Sequence, residues 1–88
     1  MTALRAAIDT LDRSILTRLA ERRGLIARAA VLKSGNGLPA RITDRVEEVV
    51  AKVRARSVEV GLDPELIESF WRQMIEQAIA QEEKVLGR

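Results

Sequence analysis

The chain contains no cysteine and no histidine, and its aromatic residues are Phe70 and Trp71 alone. Without cysteine, neither a disulfide framework nor a thiolate metal site can stabilise a small fold. Without histidine, the commonest general base and the commonest metal ligand are missing too. Ser14, Ser34, Ser57 and Ser69 therefore have no imidazole to activate them. No phosphate-binding loop, dinucleotide fingerprint or nucleophile elbow occurs. No apolar run approaches the roughly 18 residues of a membrane span, and none is flanked as a secretory signal would be. These absences point to a cytoplasmic chain working without metal or cofactor. Any reaction it performs must rest on positioning and electrostatic stabilisation.

What is present is helical. Apolar residues make up 47% of the 88, and Ala, Leu, Ile, Val, Glu and Arg dominate, as in helix bundles. A single domain spanning 1–88 is expected, and one chain of this size buries only about 60–65% of its unfolded surface. Association with another chain is the remaining source of stability.

Three helices are expected. No proline interrupts Met1 to Leu38, and Leu4, Ile8, Leu11, Ile15, Leu19 and Ile26 recur at helical spacing. Ser34–Gly37 then forms a stop, with Pro39 beyond it. This first helix of roughly 30 residues would be about 45 Å long, against a diameter on the order of 30 Å for a compact domain. It overhangs any monomeric fold, and a second copy alongside would cover the overhang. The second helix is expected to start at Thr43 as N-cap, carry Val46, Val49, Val50 and Val53, and fade toward Gly61. Asp63–Pro64 opens a third, with Leu66, Ile67, Phe70, Trp71, Met74, Ile75, Ala78 and Val85. Val58–Val60 is short enough to read as strand or helix.

Charge is divided along the chain. Seven cations oppose three acids between Met1 and Lys33, whereas six acids oppose one cation between Asp63 and Glu83. The simplest account pairs oppositely charged helices; a sharper one sets first-helix cations around an anion. Arg22 and Lys33 stand eleven residues apart on the apolar face of the first helix, where unpaired cations are costly. Arg5, seventeen residues before Arg22, is rotated about 100° away and could serve only a neighbouring chain's pocket. Glu82 continues the apolar stripe of the third helix through Trp71, Ile75 and Ala78. It either pairs with Arg22 or Lys33 in the core, lies at a fraying end, or belongs with them to a pocket for a small dianion.

Leu4-Arg5, Ile8, Leu11-Asp12, Leu19-Ala20-Glu21-Arg22-Arg23, Lys33, Pro39, Asp44-Arg45 and the run from Gly61 to Glu76 resemble the all-helical chorismate mutase family over nearly the whole chain. The resemblance implies an intertwined helical homodimer and a cofactor-free rearrangement of chorismate to prephenate. It implies that Arg22 binds a substrate carboxylate bidentately and that Arg5 reaches the second carboxylate from the partner subunit. Lys33 would donate to the ether oxygen and a carboxylate, and Arg45 would assist carboxylate binding. Three positions depart from the commonest pattern. Val46 stands where many members have glutamate, and Ala78 where some have serine. Glu82 occupies a position that is often glutamine in bacterial members and glutamate in fungal ones, and Gln81 is its immediate neighbour. There the neutral acid, able to donate to the ether oxygen, would be the productive form.

Two other readings remain. Asp44-Arg45-Val46 is also similar to the isochorismate-pyruvate lyases, which share the fold and dimer. A non-catalytic helical dimer that binds nucleic acid would use the basic first helix. Its cations alternate with acids, however, and aromatic side chains for base stacking are lacking. Neither nucleic acid nor membrane is expected as a partner.

Overall fold

A computed structural model of the chain describes residues 1–87 as three helices: α1 (Thr2–Asn36), α2 (Thr43–Val60) and α3 (Pro64–Leu86). Among the described residues there is no strand, and Val58–Val60 closes α2. Among these residues no helix is long and apolar enough to cross a membrane. All three helices end on a glycine in the left-handed region; Gly61, at φ 78°, lets Leu62 N–H turn back to the Ser57 carbonyl at 2.9 Å. Asp63 caps α3 by accepting from Glu65 N–H at 3.0 Å, directly ahead of Pro64.

Two boundaries differ from the sequence reading. α1 has 35 residues rather than roughly 30, because Ser34, Gly35 and Asn36 stay helical and the stop falls on Gly37. α2 is entered one residue early. Ile42, in extended conformation, is the N-cap, Thr43 is the first helical residue, and no side chain caps the end. Ile42 is half-buried and Thr43 exposed, so burying the isoleucine prevails over the cap that the threonine hydroxyl could have supplied.

α3 is the central element, and both other helices pack on it. The core is Ala40, Val50, Ile75 and Ile79, with Val46, Val49, Trp71 and Leu86 packed against it. Ion pairs lace the outside of the α2–α3 seam: Arg54 with Glu65 and Glu68, Arg72 with Glu47 and Glu68. α1 contributes one buried residue, Ala30. Every residue from Met1 to Glu21 is exposed, including Leu4, Ile8, Leu11, Ile15 and Leu19 of the apolar stripe. Within one chain that stripe buries nothing until Ile26, which is half-buried. The molecule extends 52 × 23 × 15 Å, its long axis matching a 35-residue helix at about 1.5 Å per residue. Its radius of gyration is 15.7 Å, against about 12 Å for a compact chain of this length.

Candidate anion-binding site

Beyond Gly37 the chain turns through Pro39 and places Ala40 in the core, which brings its carbonyl over the last turns of α1. Lys33 uses that acceptor: Nζ donates to the Ala40 oxygen at 2.7 Å and to Glu82 Oε2 at 2.6 Å. The lysine side chain is 19% exposed and the glutamate side chain 5%. A carboxylate this buried is tolerable only when paired, and Lys33 is its partner. The pairing of Glu82 with a first-helix cation therefore exists, and it lies inside a cavity.

That cavity, of about 120 Å³, is half-open and lined by residues of all three helices and of the α1–α2 connection. Arg22, Lys33, Arg45 and Glu82 are its charged lining; Ile42, Val46, Val49, Ile75 and Ala78 are among its aliphatic walls. The spacing of Arg22 and Lys33 puts both on the face toward α3, and their side chains share the cavity. Arg22 is half-buried and has no ion-pair partner among the described residues. Arg45 enters from the first turn of α2 and is tied to exposed Glu48. That hydrogen bond, with Lys52 adding charge, holds the Glu48 carboxyl below the ordinary carboxylate range.

A second groove of about 690 Å³ adjoins the first between α1 and α3, sharing Arg22, Ile26 and Ala78. Its floor includes Leu19, Ala20, Met74 and Gln77. Gln81 belongs here, its amide 3.4 Å from the Arg23 carbonyl. The neighbours Gln81 and Glu82 thus face different spaces, and Glu82 is the one beside Lys33. Arg5 borders neither cavity; it lies seventeen residues, or about 26 Å along α1, from Arg22. Of the five residues singled out in the sequence, four meet in one cavity and the fifth projects from the overhang. The Ala40 carbonyl carries no signature in the sequence, since any residue supplies one. Val49 reads there as an ordinary helix-face residue, and Ile42 precedes the expected second helix.

Three cations and one carboxylate around a small aliphatic chamber suit an organic anion with more than one acidic group. Fold and site together define an all-helical protein with a cation-lined pocket between its helices. Residues 4–83 match the model of the family described as chorismate mutase type II, and the chain belongs to that family. The T-protein of Enterobacter agglomerans is 34% identical over 82 residues, covering 93% of this chain and 22% of that protein. The T-protein of Haemophilus influenzae Rd is 29% identical over 79 residues, covering 90% and 21%. The chain thus spans about a fifth of the length of the curated relatives it matches. No solved structure matches it.

Proposed function

We propose that the chain forms a chorismate mutase domain that acts as a homodimer with two shared active sites. The observation that carries this reading is the Lys33–Glu82 pair, at 2.6 Å, set in one cavity with half-buried Arg22, which has no ion-pair partner among the described residues. In the rearrangement the ether C–O bond of chorismate breaks as a C–C bond forms within the same molecule. No proton is exchanged, so neither histidine nor cysteine is required. The protein must hold a chair-like conformer and stabilise charge growing on the ether oxygen.

Arg22 takes one carboxylate through its planar fork. Lys33 donates to the ether oxygen and a carboxylate, Arg45 supports carboxylate binding, and Glu82, when it carries a proton, gives the ether oxygen a second donor. Arg5 comes from the partner. With the two first helices antiparallel about a two-fold axis between Arg13 and Ser14, Arg5 of each chain lies level with Arg22 of the other. The same register sets Ile8 level with Leu19, so exposed apolar residues meet. Such a helix would also cover the larger groove.

The isochorismate-pyruvate lyase remains as a second reading, favoured by Val46 and the hydrocarbon wall around it. Supplying chorismate and isochorismate separately, and following prephenate, salicylate and pyruvate, decides between them. Prephenate from chorismate is the expected product; salicylate and pyruvate from isochorismate alone would establish the lyase. Inertness toward both, with salt-sensitive nucleic-acid binding, would favour the non-catalytic helical dimer.

A further inference from the structure

The connection from α1 to α2 closes back on Lys33. The Lys33 carbonyl accepts from the N–H of Gly37 and, at 3.0 Å, from that of Leu38. The Lys33 ammonium donates to the Ala40 carbonyl at 2.7 Å. Among the described residues no backbone–backbone hydrogen bond engages the N–H of Ala40, Arg41 or Ile42. Side chains therefore hold this stretch. The Ala40 methyl is buried in the core, and Arg41 forms a two-pronged ion pair with Glu76 of α3. Its Nη1 donates to Oε1 at 2.9 Å and its Nη2 to Oε2 at 2.7 Å. Glu83, about two turns further along α3, adds a weaker attraction for the same guanidinium.

A lysine ammonium has three donors. Ala40 and Glu82 engage two of them, so one N–H remains for the oxygens of a substrate. At a tetrahedral nitrogen its direction is set once the other two acceptors are fixed. Glu82 belongs to α3. The Ala40 carbonyl belongs to the connection, but it shares a planar peptide unit with the Arg41 N–H, and Arg41 is tied to α3 through Glu76. Both acceptors are thus referred to one helix. Resting on the function proposed above, we infer that Arg41 and Glu76 are positioning residues, whose ion pair holds the Ala40 carbonyl against α3 and so orients the Lys33 ammonium toward substrate. Neither side chain lines the cavity and both are exposed, so they act through Lys33 and contribute little to stability.

The test is steady-state kinetics on whichever of chorismate or isochorismate the parent converts, with thermal midpoints alongside. A misplacement of about 1 Å can cost about 10² in rate. Arg41→Gln is expected to fold normally and to lower kcat by about ten- to 10²-fold, with a smaller change in KM because Arg22 and Arg45 still bind carboxylates. Glu76→Gln should act in the same direction, and the double variant should be no worse than Arg41→Gln, since both break one contact. Arg41→Lys should recover only part of the rate, because a point charge lacks the fork. Arg72→Gln breaks an exposed ion pair that does not involve the connection, and should leave kcat unaltered. On a Lys33→Ala, Glu82→Gln background, Arg41→Gln should cost nothing further. Loss of the fold in Arg41→Gln, an unchanged kcat, an equal fall in Arg72→Gln, or a further fall on that background each overturns the inference and leaves the proposed function standing. A parent inert toward both compounds overturns that function, and the inference with it.

Discussion

Lys33 and Glu82 are 49 positions apart in sequence and 2.6 Å apart in the fold, with the Ala40 carbonyl as the lysine's second acceptor. The positive charge of the cavity is thereby neutralised in part by the protein itself. Its pair also ties the end of α1 to the end of α3, so the same residues hold the fold and face the cavity.

Replacing Lys33 by alanine should consequently harm both properties. It leaves Glu82 buried without a partner, a change that typically costs about 3–5 kcal/mol, and it removes a donor whose loss lowers turnover about 10²–10³-fold. Adding Glu82→Gln should recover much of the stability and none of that turnover. Urea midpoints and initial rates for the two single variants and the double variant test the separation. Recovery of rate together with stability would make Lys33 structural.

Arg22 should behave differently, because among the described residues it has no ion-pair partner to strand. Arg22→Ala is expected to fold within about 0.5 kcal/mol of the parent and to lose about 10²–10³ in turnover. Arg22→Lys should also be poor, since a point charge cannot reproduce the bidentate fork. Near-normal rates in a dimeric Arg22→Ala protein would remove it from the site.

The exposed half of α1 predicts how defective subunits combine. Arg5→Ala and Arg22→Ala proteins should each be inactive, and a mixture should regain activity through heterodimers carrying one intact site. Rates measured after unfolding and refolding the mixture test this; no recovery would place Arg5 in its own chain's site. The unfolding midpoint of the parent should also rise with protein concentration, as for any obligate dimer.

Glu82 offers a donor to the ether oxygen only when protonated. Glu82→Gln, a permanent donor of similar shape, should stay active, whereas Glu82→Ala should lose turnover about 10²–10³-fold. Gln81→Ala should leave turnover unaltered, because Gln81 lies in the neighbouring groove. The converse result, a collapse in Gln81→Ala with normal turnover in Glu82→Ala, would exchange their roles.

The α2–α3 seam predicts acid lability. Hydrogen bonds from Arg72 to Glu47 and Glu68, and from Arg41 to Glu76, hold these carboxyls below their ordinary value of 4.5. A group depressed in the folded state stabilises it above the unfolded value, and that contribution is lost as pH falls through the folded one. Thermal midpoints should therefore fall as pH drops below about 4.5, and added salt should weaken the effect. A midpoint indifferent to both would mean that the seam ion pairs contribute nothing.

Much of this was legible in the residues themselves. Gly61 and Asp63–Pro64 mark boundaries because left-handed backbone and a missing N–H are local demands, met by particular residue types. Arg22, Lys33 and Glu82 stand out because charge on an apolar stripe requires a partner. Thr43 misleads because capping is worth less here than packing Ile42, and packing depends on the helices across from it. The continuation of α1 through Gly35 is similarly hidden, since each residue of Ser34–Gly37 could have ended it. The acceptor role of Ala40 arises only when the chain closes, because any residue supplies a carbonyl.

The unburied length of α1 has a genetic consequence under the proposed dimer. Each chain lends an arm and keeps a pocket, so damage divides into lesions felt in the partner's pocket and lesions felt in its own. Two alleles broken in different halves would rescue one another, whereas two broken in the same half would not. Sorting loss-of-function alleles by pairwise complementation should then separate them into two groups, with the division falling along α1 between Arg5 and Arg22.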